Sequence, residues 1–253
     1  MTVFLLKLAA AVLMLTDHLG IVLYQHQAIG FELYHWMRTL GRFAFPIYCF
    51  LLAEGFRHLR KDPKRLCGHM LLLLALAVCS EPFFDQLLTQ RFDDAAHQSV
   101  ILTLILGFGG LWLSECFRDR PLPRFAVLLF AGALGRFLHT DYGVAGVFLI
   151  FGCYFYLERW GQREFGRRLL GGLCLIVGYL LFYSWVRAGF GGPAAVCSRL
   201  FAMGDYLYPF LLLIPALASY GGRPGRRNKL LHRCYQCFYP AHLAALYLLG
   251  LLL

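Results

Sequence analysis

Apolar side chains in this chain gather into runs long enough to approach the thickness of a lipid bilayer, with polar residues collected between them. Crossing the ~30 Å hydrocarbon layer takes about 20 apolar residues in a helix. Runs of this kind lie at Val3–Tyr24, Phe43–Phe56, Leu66–Ser80, Val100–Phe117, Phe125–Leu138, Tyr142–Leu157, Leu169–Val186, Leu200–Tyr220 and Phe238–Leu253. The pattern predicts an all-α, polytopic transmembrane helical bundle of about nine helices, forming one domain over residues 1–253. No linker, low-complexity tract or internal repeat divides it. Asp17-His18 falls where a cleavage site would follow a signal peptide, so the first run is read as a retained helix.

The basic residues test the helix count independently. Of the 24 Lys and Arg, 17 fall in the loops after the second, fourth, sixth and eighth runs. Cytoplasmic loops carry an excess of Lys and Arg. Nine helices with a cytoplasmic N-terminus put those four loops on one side of a cell membrane. The other loops hold few, such as Arg38, Arg91, Arg187 and Arg199.

Composition agrees. Charged residues make up 15% and hydrophobic residues 59%, whereas a soluble domain is about 25% charged. The net charge of +10 would suggest nucleic acid for a soluble protein. Here topology accounts for it, and no nucleic-acid partner is predicted. Cys49, Cys79, Cys153 and Cys174 sit singly in apolar runs, where Cys acts as a small hydrophobe.

Ionisable groups inside a bilayer are costly and mark candidate sites. Asp17 and His18 lie in the outer half of the first helix. Lys7, Ala11, Met14 and His18 share one helical stripe, with the imidazole about 16 Å beyond the ammonium. Arg42 opens the second run, on a stripe with Pro46, Cys49 and Ala53. Pro46 cannot donate to the Arg42 carbonyl, which leaves it free. Arg42 is placed to pair with Asp17 if the first two runs are neighbours. Tyr235, Tyr239 and His242 form a stripe on the last helix. Packing alone also explains an aromatic stripe, and an anchoring role explains Arg42. Lesser signals are Glu54, Glu81 and Asp85, where Ser80-Glu81-Pro82-Phe83-Phe84-Asp85 closes the third run, and Asp141-Tyr142-Gly143, with Asp141 a candidate N-cap. Cys234-x-x-Cys237 near His232 and His242 is too sparse to predict a metal. Phosphate-loop, His-Glu-x-x-His and Gly-x-Ser-x-Gly motifs are absent from the sequence.

In this order, Asp17-His18, Gly41-Arg42 with Ala44-Phe45-Pro46, Asp141-Tyr142-Gly143, and Phe238-Tyr239-Pro240 with His242 resemble the TraX family, the family of the F-pilin acetylation protein of conjugative plasmids. The resemblance runs over nearly the whole chain. Phe45–Phe56, and Ser80-Glu81 with Phe84-Asp85, look closest to a chromosomal branch in Gram-positive anaerobes. That branch usually reads Ser-Glu-Ile-Pro-Phe-Asp, and here the proline comes one position earlier, at Pro82. The pilin branch lacks equivalents of Glu54 and Glu81, which leaves room for a different acceptor.

The resemblance implies a bacterial cytoplasmic-membrane acyltransferase. It would use acetyl-CoA as donor and act on an amine or hydroxyl of an acceptor protein or surface glycan, the pilin N-terminus in the plasmid case. An acyl thioester needs a base for the attacking group, a task suited to histidine, and a donor for the oxyanion. The candidate catalytic residues are therefore His18, Asp17, Arg42, His242 and Tyr239. The candidate substrate-binding residues are Lys7, Glu54, Glu81, Asp85, Asp141 and Tyr142. The same polar residues also suit a proton-coupled transporter or flippase, and an assembly scaffold needs no chemistry at all.

Overall fold

The computed structural model describes residues 1–90, 98–202, 214–215, 217–222 and 229–253. Among these the chain is all-helical. Its helices are α1 (Val3–Gln25), α2 (Phe31–Gly41), α3 (Ala44–Leu59), α4 (Pro63–Thr89), α5 (Val100–Glu115), α6 (Pro121–Phe137), α7 (Gly143–Arg159), α8 (Phe165–Arg187), α9 (Pro193–Ala202) and α10 (Lys229–Gly250). Eight of the nine apolar runs coincide with helices. The eighth run, Leu200–Tyr220, lies largely outside the described residues.

Three helices, α1, α4 and α8, are long and apolar enough to cross a membrane, at 23, 27 and 23 residues. The others are shorter; α3 has 16 residues, about 24 Å at ~1.5 Å per residue. The outer surface is apolar. Val78, Leu122 and Phe137 are 75%, 80% and 76% exposed, which is costly in water and favourable against lipid.

Local signals start the helices. Thr2 accepts a hydrogen bond from the Leu5 amide, capping α1. Asp62 accepts from the Arg65 amide, and Pro63 then opens α4 where its missing N–H costs nothing.

Two expectations need correction at prolines. The third run does not close over Ser80-Glu81-Pro82-Phe83-Phe84-Asp85, because α4 continues through Pro82 to Thr89. Pro82 has no N–H for the Val78 carbonyl. Packing of Phe84 and Leu87 in a buried cluster with α1 and α10 holds the helix beyond it. Pro46 falls in the first turn of α3, where a missing N–H costs little, so it does not strip a helical partner from Arg42.

Helix α2 was not expected as an element. Its exposed Leu33, Trp36 and Leu40 lie on one side, while Thr39 and Gly41 are buried. It packs along α1. A Cβ at Gly41 would fall within the space of the Asp17 side chain, so only glycine lets α2 approach Asp17 this closely.

Helices α1 and α10 run parallel. Lys7 stands over the Tyr235 ring at 4.7 Å, His18 meets His242, and His26 lies against Gly250. The bundle thus has a Lys7 end and a His26 end. A large core joins α1, α3, α5, α7 and α8. A smaller one joins α1, α4 and α10 around His18.

Candidate functional site

The sequence-adjacent Asp17 and His18 point to different partners, as neighbours on a helix must. His18 Nδ1 lies 2.8 Å from His242 Nε2, and both residues are buried. Their ring planes differ by 4° and their centroids are 5.1 Å apart. That separation matches the 2.8 Å bond plus one ring radius on each side. The imidazoles therefore lie end to end in one plane, rather than face to face. His242 Nδ1 is 2.9 Å from the Phe238 carbonyl oxygen. Phe84 and Tyr239 present ring edges to His18 at 6.4 Å.

Asp17 Oδ2 pairs with Arg38 of α2. The expected Asp17–Arg42 pair is replaced by this one, because α2 inserts Arg38 beside α1. Arg42 lies within electrostatic range of Asp17, Asp141 and Tyr142. Its Nη1 donates a long hydrogen bond of 3.5 Å to the Tyr142 hydroxyl. Arg38 is the one important residue that sequence reading assigned to a sparse loop. Its signal was the i, i+3, i+7 apolar face of Leu33, Trp36 and Leu40 around it.

Two loops hold Asp141 and Tyr142 in place. Gln98 N–H donates to the His139 carbonyl at 3.1 Å, and Asp141 N–H donates to the Gln98 carbonyl at 3.0 Å. Tyr142 stacks on Phe45, with centroids 3.5 Å apart and planes 7° from parallel. Tyr142, not Asp141, is the N-cap residue of α7, and no side chain caps that helix. Gly143 follows with φ +48°, a conformation that favours glycine.

Glu81 Oε1 accepts from the Ser99 amide at 2.8 Å, anchoring the start of α5 to α4. Asp85 is buried on the next turn of α4. Among the described residues, the buried Asp17 Oδ1, Thr39 Oγ1, Arg42 Nε and Thr103 Oγ1 at this end take no hydrogen bond, while the Tyr239 hydroxyl lies within hydrogen-bond reach of the Ser99 side chain. Native interiors hold few such atoms, and each calls for an explanation, such as ordered water or a catalytic role.

Lys7 and Glu54 are not brought to this place. Lys7 sits at the other end over Tyr235. Glu54 accepts from Arg57 at 2.9 and 3.1 Å, bonds His58 at 3.1 Å and accepts from the Tyr220 hydroxyl at 2.9 Å. A second network lies at that end. Tyr154 donates to Glu115 at 2.6 Å, while Arg60 donates to Tyr154 at 2.6 Å and to Glu158 at 2.9 Å. Burial works against the Arg60 charge, but the bonds to Glu158 and Tyr154 outweigh it and raise its pKa.

A helical bundle with an apolar exterior and a buried His–His pair beside an Asp–Arg pair defines a membrane protein with a polar site inside it. The chain belongs to the TraX protein family, which matches residues 3–250. It is also 28% identical to the probable fimbrial assembly protein FimC, serogroup H1, of Dichelobacter nodosus, over 96% of this chain and 93% of that protein. No solved structure matches.

Proposed function

We propose that this protein is a membrane-embedded acyltransferase that moves an acetyl group from acetyl-CoA to an amine or hydroxyl acceptor, with His18 as the base. The observation that carries this reading is the buried His18–His242 pair, set at the same end as Asp17 Oδ1, Thr39 Oγ1, Arg42 Nε and Thr103 Oγ1, buried atoms with no hydrogen bond among the described residues. Acyl transfer needs a base for the attacking group and donors for the oxyanion. Arg42 Nε and the Tyr239 hydroxyl are donors of the required kind at the same end. Asp17 holds Arg38 and balances the local positive charge.

In this reading the protein crosses the bacterial cytoplasmic membrane several times, with its N-terminus and four basic loops in the cytoplasm. Lys7 then lies toward the donor's side and His18 toward the acceptor's. The relative's role in fimbrial assembly favours a pilin-type subunit as acceptor over a surface glycan. In a cysteine-free background, Lys61→Cys should label only after cells are permeabilised; ready labelling in intact cells would reverse the orientation.

The direct test uses purified protein in lipid nanodiscs. Labelled acetyl-CoA should bind, and acetyl should pass to a pilin N-terminal peptide. Absence of acetyl-CoA binding would overturn the acyl-transfer reading and return the proton-coupled transporter.

A further inference from the structure

We infer that His242 is a positioning residue that fixes the tautomer of His18 and leaves His18 Nε2 as the bare, basic nitrogen. This rests on the acyl-transfer reading only for its rate consequences. The tautomer itself follows from the bond pattern.

The chain of bonds begins at a group whose role is fixed. The Phe238 carbonyl oxygen can only accept, so His242 Nδ1, 2.9 Å away, must carry the hydrogen. In a neutral imidazole the other nitrogen is then bare, so His242 Nε2 accepts. Its partner at 2.8 Å is His18 Nδ1, which must therefore be the N–H that donates. His18 Nε2 is left with its lone pair, and among the described residues it takes no hydrogen bond. The end-to-end, coplanar rings put both bonding nitrogens in line, the geometry in which this assignment is strongest.

Two consequences follow. The pair as a whole accepts one proton: a second would set N–H against N–H across 2.8 Å. The base is also aimed. Of the two nitrogens of His18, the one tied to His242 is unavailable, so an acceptor's N–H or O–H must approach Nε2. A backbone carbonyl thus does here, through one imidazole, what a carboxylate does for the histidine of a catalytic triad. The sequence spacing of Phe238 and His242, one helical turn, supplies that carbonyl automatically.

The test reads the tautomer directly. Protein labelled with ¹⁵N-histidine is examined by nuclear magnetic resonance, with the His18 signals assigned by their loss in His18→Gln. The expected spectrum shows a hydrogen-free Nε2 and a protonated Nδ1 at His18 near neutral pH. A protonated Nε2 with a bare Nδ1 in the unmutated protein would overturn the inference, and His18→Gln serves only to assign the signals. In His242→Ala the His18 signals should move toward a mixture of tautomers, and kcat for acyl transfer should fall about 100-fold with KM little changed. His242→Gln, which can place an amide oxygen near His18 Nδ1, should restore the tautomer and most of the rate. Rescue of neither would also overturn the inference. The expected tautomer in a protein that transfers no acetyl would support the assignment and sink the acyl-transfer reading instead.

Discussion

The two ends of the bundle carry similar groups and satisfy them differently. At the Lys7 end, Glu54 takes partners from Arg57, His58 and Tyr220, and Glu115 and Glu158 are shared among Arg60, Arg118 and Tyr154. The two polar atoms left over there, Arg124 Nε and Arg168 Nε, belong to guanidinium groups otherwise engaged with Glu115 and the Tyr220 carbonyl. At the His26 end, the bonds run from pair to pair, and among the described residues Asp17 Oδ1, Thr39 Oγ1, Arg42 Nε and Thr103 Oγ1 are left open; Asp17 and Arg42 are engaged through their other atoms, whereas the two threonine hydroxyls are the whole polar part of their side chains. A closed network fixes helices against one another and leaves little capacity to bind anything else. An open one keeps donors and acceptors for a group not supplied by the protein. Burial of charge alone therefore does not separate a site from a staple; the state of the bonding does.

The largest expected effect breaks the open end at its centre. His18→Gln keeps a hydrogen-bonding side chain but removes the base, so acyl transfer should fall 10²–10⁴-fold with little change in the thermal unfolding midpoint. Retention of most activity would make His18 a packing residue.

Replacing Arg42 with lysine keeps the charge but removes the Nε donor and the planar fork. Turnover should fall about 100-fold, the usual scale for one oxyanion donor, while acetyl-CoA binding by equilibrium dialysis stays near the unmutated value. Weakened binding without a turnover change would move Arg42 out of the reacting centre.

Glu54→Ala attacks the closed end. It strips the buried carboxylate from Arg57, and breaking a buried pair costs about 3 kcal/mol, read as a lowered unfolding midpoint in detergent. Activity per folded molecule should hold. A raised KM for acetyl-CoA at unchanged stability would instead bring the Lys7 end into the binding site.

The smallest expected effect is that of Gly41→Ala. The new methyl meets the Asp17 side chain and should shift the Asp17–Arg38 pair, at about 1–3 kcal/mol for an overpacked contact. Asp17→Asn in the same background should recover little, since crowding rather than charge is the cause. Full recovery would show charge to be the cause.

Most of the helical framework was legible because hydropathy is a local property: each run of apolar residues meets lipid or core whatever its neighbours do. Asp17, His18, Arg42, Tyr239 and His242 stood out for a related reason, since an ionisable or hydroxyl group within such a run has to find a partner. Helix α2 was hidden because its 11 residues include Glu32, His35 and Arg38, too polar and too short to read as a span. Pro82 misled because a proline signals a stop locally, while the packing of Phe84 and Leu87 is non-local.

What the sequence by itself determined is which residues must be paired. It placed a carboxylate and an imidazole side by side on α1 and a histidine one turn beyond Phe238 on α10. Only the tertiary structure decided the partners: Arg38 rather than Arg42 for Asp17, His242 for His18, and Arg57, His58 and Tyr220 for Glu54. The physical reason is distance along the chain. His18 and His242 are 224 residues apart, and nothing in the local pattern of either helix specifies the register at which α1 and α10 lie against each other. That register comes from side chains interlocking across the interface, Met14 and Ile21 with Tyr239, Leu243 and Leu246, and it alone brings one imidazole nitrogen into line with the other.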